Sequence, residues 1–282
     1  MKTVAVIGAG LMGSQIALQA ALSGFHVFLQ DINEAKLNET QTTLNEQLLK
    51  LVKKGIVSKE QWIKVTEQLV FETNLKQAVI DADIVIEAII ENLEAKQQLF
   101  SEVSGYISST AILATNSSMI GSSKLASFAK NPENVCNIHF FNPVLKMEVV
   151  EVAIGPHTSN ETANKAVEFV KHLNKTPLLL KKEVTGFIAN RILSKIMDEA
   201  VYLVENGIAT IEEVDLACTK ALNHPIGPFA LIDLTGLDTA YAIQKTQYLL
   251  GEALQKPSEL LKSKVENGEL GRKTGQGFYS YK

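Results

Sequence analysis

The chain has 282 residues, enough for two domains or one large one. Its 46% hydrophobic and 21% charged content fits a soluble globular enzyme and excludes a disordered or collagen-like chain. A net charge of −4 excludes a general basic field for nucleic acid or an anionic membrane, and the two cysteines, Cys136 and Cys218, suggest neither a disulfide framework nor a zinc site. No metal is expected, and a reducing cytoplasm is the expected location.

At the N-terminus, Lys2 and the apolar residues 4–7 have the look of a shortened leader, but Gly8, Gly10 and Gly13 interrupt the run too early. Nowhere do ~18 apolar residues follow one another, so no membrane span is expected. The first two-thirds alternates short β-branched runs with longer amphipathic ones, the pattern of strands feeding crossover helices in a parallel sheet. The candidate strands are TVAVIG, HVFLQD, IVIEAI, AILATN, VCNIHFF, EVVEVAI and TPLLLK, most of them apolar on both faces, as when helices cover both sides. Residues 33–68 depart from that rhythm. A helix-favouring stretch too long for one crossover runs through LLKLVKKG, breaks at Gly55 and resumes after Ser58, which predicts a helical hairpin projecting from the sheet. From about Thr185 the strand signal vanishes. GFIANRILSKIMDEAVYLVENG reads as a helix ending at Gly207, and Thr210 with Glu213 has the spacing of a capping box for the next helix.

VAVIGAGLMG places Gly8, Gly10 and Gly13 directly after a predicted strand and at the start of a predicted helix. GxGxxG alone is a weak signal, but the next strand ends in Asp31, near the ~20-residue spacing expected for an acid on the ribose hydroxyls of a dinucleotide. Gly8 makes the tight turn, Gly10 leaves room for a pyrophosphate, and Gly13 lets helix and strand pack closely. The first helical amides, Leu11 and Met12 among them, then face the phosphates. A carboxylate at Asp31 accepts from a free 2′-hydroxyl and repels a 2′-phosphate, which favours NAD over NADP; flavin enzymes share the motif. The expected architecture is α/β: a Rossmann-like doubly wound sheet with a projecting helical hairpin over residues 1–184, then an all-α C-terminal domain over 185–282.

NIHFFNP puts His139 in an apolar strand, where a lone histidine is more often a satisfied core residue than a catalyst. Three other polar stretches weigh against that reading. ATNSSM puts Asn116, Ser117 and Ser118 at the carboxyl end of a predicted strand, where open α/β sheets bind ligands. MEVVEVA contributes Glu151, and GFIANR offers Asn190 and Arg191 inside a helical run. If these converge, a neutral imidazole can take a hydroxyl proton while hydride leaves the same carbon, and a carboxylate behind the ring favours the imidazolium. Taken singly, Ser118 reads as a helix cap, Glu151 as a solvated strand residue and Asn190 as an interhelical contact.

These residues carry a resemblance. With VIGAGLMG, IEAIIENLEAK, HFFNP, VEV, GFIANR, HPIGPFALIDLTGLD and GRKTGQGFY in order, the chain resembles the short, monofunctional L-3-hydroxyacyl-CoA dehydrogenases essentially end to end, most of all the bacterial 3-hydroxybutyryl-CoA dehydrogenase branch. The resemblance implies His139 as general acid/base, Glu151 as its orienting partner, and Ser118 and Asn190 as groups on the substrate oxygen. It places Glu91, Lys96 and Asn116 near the nicotinamide end of NAD, Asn142 near the substrate, and the hairpin over the coenzyme A tail, with Lys50 and Lys54 as partners for its phosphates. A solvated helix face is an equal reading of the two lysines. Met119, Glu148 and Thr185 depart from the family pattern, which bears on acyl-chain preference and affinity.

The implied activity is reversible NAD-dependent oxidation of a short-chain L-3-hydroxyacyl-CoA, with acetoacetyl-CoA as the reduction substrate. The implied setting is fatty acid and butyrate metabolism, in a homodimer joined through the C-terminal domain. Two alternatives remain: a dehydrogenase of a free hydroxy acid of the gulonate or carnitine type, and a non-catalytic NAD-binding structural protein.

Overall fold

Eight strands build one sheet in the computed structural model, which describes residues 1–249 and 256–281. The chain divides into two units, Met1–Ile188 and Ala189–Lys282. In chain order the first runs β1 (Thr3–Ile7), α1 (Leu11–Leu22), β2 (His26–Gln30), α2 (Glu34–Lys53), α3 (Lys59–Gln68), β3 (Leu69–Glu72), α4 (Leu75–Val79), β4 (Ile84–Glu87), α5 (Leu93–Val103), β5 (Ile112–Thr115), β6 (Val135–Phe140), β7 (Val149–Ala153), α6 (Asn160–His172) and β8 (Thr176–Leu180). The sheet order is β3-β2-β1-β4-β5-β6-β7-β8. Winding therefore reverses between β1 and β4, and a ligand crevice is expected beyond their carboxyl ends.

The sheet separates two cores. Val4, Val6, Ile84, Ile86, Cys136, Ile138 and Phe140 face one of them, together with α1 and α6, while Ala5, Ile7, Val85 and Leu113 face the other with Phe100 and Val103 of α5. The hairpin forms as expected. Gly55 adopts a φ of +68° at its bend, and Ser58 and Gln61 close a capping box on α3. Leu37, Leu44, Leu48 and Val65 carry its inner face into the first core.

Two features of this unit differ from expectation. LVFE forms β3, an edge strand of which only Leu69 is fully buried, and it follows α3 without a break, so its four residues read as the tail of a helix. The sheet is also not wholly parallel. β7 runs antiparallel to β6, because residues 141–148 between them are too few for a crossover helix, whereas α6 returns the chain so that β8 lies parallel to β7.

The second unit comprises α7 (Ala189–Glu205), α8 (Ile211–Leu216), α9 (Pro228–Thr235), α10 (Leu237–Leu249) and α11 (Glu259–Glu266). α7 begins later than the periodicity suggests, since Gly186 and Phe187 take positive φ values of 76° and 50°, which puts Asn190 in the first helical turn and not the interior. The Thr210–Glu213 capping box is present at α8. Two buried acids hold this unit together. Asp215 accepts from the amides of Phe229 and Ala230 at the start of α9 and from the Tyr279 hydroxyl. Asp233, 1% exposed, accepts from the Phe278 and Tyr279 amides and the Tyr281 hydroxyl, and a Cβ at Gly277 would lie 2.1 Å from its Oδ1. The C-terminal GRKTGQGFY segment is thus clamped onto α9. Among the described residues no helix is long and apolar enough to cross a membrane.

Asp233→Ala leaves three donors without their acceptor, and chemical denaturation is expected to show a loss of about 3 kcal/mol or more in the second unit.

Candidate active site

The glycine turn joins β1 to α1 at the reversal of winding. Gly8 has a φ of +103°, and a Cβ there would lie 2.6 Å from the Ala88 carbonyl oxygen after β4. A Cβ at Gly13 would sit 1.9 Å from the Gly8 carbonyl oxygen, whereas one at Gly10 would meet nothing within 4 Å. Gly8 and Gly13 are therefore demanded by the protein, and Gly10 keeps a space that the protein itself does not fill. The amides of Leu11 and Met12, in the first turn of α1, have no partner inside the helix and are available to an anion. Asp31, just past β2, accepts from the Ala9 amide at 2.8 Å and the Asn33 amide at 3.0 Å, which ties it to the turn and leaves lone pairs for hydroxyl donors. Leu11, Ile32 and Ile90, at the carboxyl ends of β1, β2 and β4, are 64%, 91% and 72% exposed. An anion cradle, an acid and apolar side chains left in the open fit a dinucleotide.

Beside the turn lies a buried charge network. Lys96, 1% exposed, bonds Glu87 at 2.5 Å and lies 3.3 Å from Glu91. Glu87 is fully buried at the end of β4, and its oxygens also accept from the Ile89 amide at 2.7 Å and the Thr115 hydroxyl at 2.6 Å. Such a pair persists only when the remaining lone pairs are satisfied, as they are here. Glu91 in turn accepts the Ser117 hydroxyl. Lys96 and Glu91 thus meet in one charge network. Glu87, their central partner, was missed, although an acid closing the otherwise apolar strand IVIE was the available signal.

His139 and Glu151 are directly opposed in the antiparallel register of β6 and β7. Their face of β6 also carries Asn137, while Cys136, Ile138 and Phe140 point into the core. Nδ1 of His139 lies 2.8 Å from Oε2 of Glu151, so Nδ1 carries the proton it donates. Oε1 of Glu151, which is fully buried, accepts from the Ile188 amide at 2.9 Å. Phe141 and Phe187 pack on the imidazole with ring centroids 4.6 and 5.4 Å away. Nε2 has no hydrogen-bond partner among the described residues. A satisfied core histidine uses both nitrogens; this one keeps one in reserve.

At the end of β5, Asn116 accepts from the Phe140 amide at 2.9 Å, next to His139, and its NH2 group has no partner among the described residues. Ser117, not Ser118, is the capping serine, accepting from the Met119 and Ile120 amides. The half-buried Ser118 hydroxyl has no partner among the described residues, which removes the helix-cap explanation for it. Asn142, exposed, accepts from Gln15 of α1, which also receives the Val144 amide. Lys50 and Lys54 lie exposed at the end of α2, with no ion pair to another described residue and no bond to the His139 cluster. Asn190 belongs to the second unit. No cluster of His, Cys, Asp and Glu fit for a metal ion occurs among the described residues.

Comparison with known proteins follows the same division. The model of the 3-hydroxyacyl-CoA dehydrogenase NAD-binding domain matches residues 3–184, and that of the 3-hydroxyacyl-CoA dehydrogenase C-terminal domain matches residues 186–281. The chain is 38% identical over its full length to a 3-hydroxybutyryl-CoA dehydrogenase of Bradyrhizobium diazoefficiens, covering 96% of that protein. It is 40% identical to a probable 3-hydroxybutyryl-CoA dehydrogenase of Deinococcus radiodurans, over 98% of this chain and 99% of the other. The crystal structure of (S)-3-hydroxybutyryl-CoA dehydrogenase from Ralstonia eutropha superposes with a TM-score of 0.95 at 35% identity, covering 100% of this chain and 99% of that one.

The two glycines separate ligand space from packing. Gly10→Ala is expected to fold with an unchanged melting temperature and to bind NADH at least ~10-fold more weakly by fluorescence titration, whereas Gly13→Ala loses stability first.

Proposed function

The chain belongs to the 3-hydroxyacyl-CoA dehydrogenase family of NAD-dependent oxidoreductases, and on that footing we propose that it interconverts L-3-hydroxybutyryl-CoA and acetoacetyl-CoA. The observation that carries this reading is the His139–Glu151 hydrogen bond, which leaves Nε2 uncommitted. In the oxidative direction Nε2 accepts the proton of the 3-hydroxyl as the C–H bond breaks and the carbonyl forms. Glu151 holds the Nδ1–H and stabilises the imidazolium, with no need to become protonated itself. Ser118 donates to the same oxygen. In reduction the imidazolium returns the proton.

NAD, held by the Gly8–Gly10–Gly13 turn, the amides of Leu11 and Met12, Asp31, and the Glu91, Lys96 and Asn116 groups, supplies the acceptor or donor of hydride. Asp31 disfavours a 2′-phosphate by like charge. Asn142, Lys50 and Lys54 serve the coenzyme A thioester, the lysines as unpaired cations for phosphate. Residues 185–282 form the substrate and dimerisation domain. In the described part of it Ile192, Ile208, Leu216 and Leu222 are 59%, 62%, 57% and 64% exposed, apolar surface suited to a homodimer. The free thiols of Cys136 and Cys218 suit a reducing cytoplasm.

His139→Gln is expected to lower kcat for acetoacetyl-CoA reduction by ~10²–10⁴-fold while NADH still binds, because only the proton transfer is lost. A rate near wild type returns the ring to the core. A panel of acetoacetyl-CoA, longer 3-oxoacyl-CoAs and free 3-oxo acids is expected to rank acetoacetyl-CoA first with NADH. Better turnover of a free acid overturns the coenzyme A assignment, and equal turnover with NADPH overturns the role given to Asp31.

A further inference from the structure

Residues 183–188, between β8 and the end of the first unit, reach three parts of the site through three different groups. The Glu183 carboxylate accepts the Ser122 hydroxyl and, at 3.1 and 3.2 Å, the Ser123 amide. At the other end the Ile188 amide donates to Oε1 of Glu151, leaving Oε2 to His139. Between them the positive φ values of Gly186 and Phe187 turn the chain so that the buried Phe187 ring packs on the imidazole.

Ser122 lies four residues beyond Ser118. Its amide donates to Oδ1 of Asn137 at 2.7 Å, and Nδ2 of Asn137 donates to the carbonyls of Ser117 and Ile120 at 3.3 and 3.2 Å. The loop bearing Ser118 is thereby pinned to β6 two residues before His139 and, at its far end, to Glu183. A Cβ at Gly121 would lie 2.8 Å from Oε2 of Glu183, so a larger residue there would push the carboxylate away. His157 completes this cluster. Its Nε2 lies 3.1 Å from the Val135 carbonyl and 3.3 Å from the Ser122 hydroxyl. The carbonyl can only accept, so Nε2 carries a proton and cannot deprotonate Ser122. Ser122, His157 and Glu183 form a clamp and not a second nucleophilic site.

We propose that residues 183–188 act as a positioning strap for the reaction: Glu183 holds the Ser118 loop while the Ile188 amide and Phe187 ring hold the Glu151–His139 pair, so that hydroxyl and imidazole meet one substrate oxygen. The proposal rests on the roles given to His139 and Ser118 above. Misplacing such a group by about 1 Å costs up to ~10²-fold in rate.

Acetoacetyl-CoA reduction by the full chain tests it. Glu183→Ala is expected to lower kcat by ~10-fold or more, with the KM for NADH within about twofold of wild type and the melting temperature nearly unchanged. Glu183→Gln, which keeps a carbonyl acceptor, should recover most of the loss. With Ser118→Ala already in place, Glu183→Ala should cost no more than about twofold, since both act on the same contact. Losses that multiply in the double variant, or a kcat near wild type for Glu183→Ala, overturn the strap. Should Glu183→Ala not fold, Phe187→Leu is read instead: lowered kcat at unchanged KM for NADH is expected, and wild-type kcat overturns the proposal. His139→Gln in the same assay separates the two levels. If it loses its rate while the Glu183 losses multiply, the strap alone falls; if it keeps its rate, the assignment beneath it falls too.

Discussion

The site depends on one cross-strand pair. In an antiparallel pair, directly opposed residues stand with their Cβ atoms about 4.5–5.5 Å apart on one face of the sheet, close enough for a carboxylate to meet an imidazole. His139 and Glu151 occupy such a position at the only antiparallel junction of the described sheet. Glu151 is fully buried, and a buried carboxylate must be held by donors. Nδ1–H of His139 and the Ile188 amide are two of them, so one interaction fixes both the tautomer and the orientation of the ring. What remains outward is Nε2, the nitrogen that can exchange a proton with a ligand.

The second buried acid, Glu87, works differently. It has no titratable partner with a spare nitrogen; its oxygens are taken by Lys96, Thr115 and the Ile89 amide. A buried ion pair of this kind contributes little net stability, yet it leaves few alternatives for the chain ends it joins. Here those ends are the carboxyl ends of β4 and β5 and the start of α5. Through Glu91 and Ser117 the same network reaches the segment that presents Ser118. The carboxyl ends of β4 and β5 and the serine loop thus share one set of bonds.

Glycines, caps and strands were legible because their causes are local. The close approach of Gly13 to the Gly8 carbonyl lies within a few residues, and the capping box at Thr210 needs only residues three apart. β3 escaped notice for a local reason too: one buried and three half-buried residues continuous with a helix carry almost no period of their own. Within the site, Ser117 and Ser118 look alike as letters. Only the fold assigns one to the Glu91 carboxylate and two amides and leaves the other hydroxyl open.

By itself the amino-acid order determined the α/β class, the dinucleotide turn with its acid, seven of the eight strands, the helical second unit, and the resemblance that singled out His139 and Glu151. The direction of β7, the face on which His139 stands, the burial of Lys96 against Glu87, and the reach of Glu183 to Ser122 were decided only in three dimensions. The physical reason is range. Propensity, capping and turn geometry act over a few residues, whereas a buried charge or an uncommitted hydroxyl is defined by whichever distant side chains the packed chain brings within about 3 Å of it.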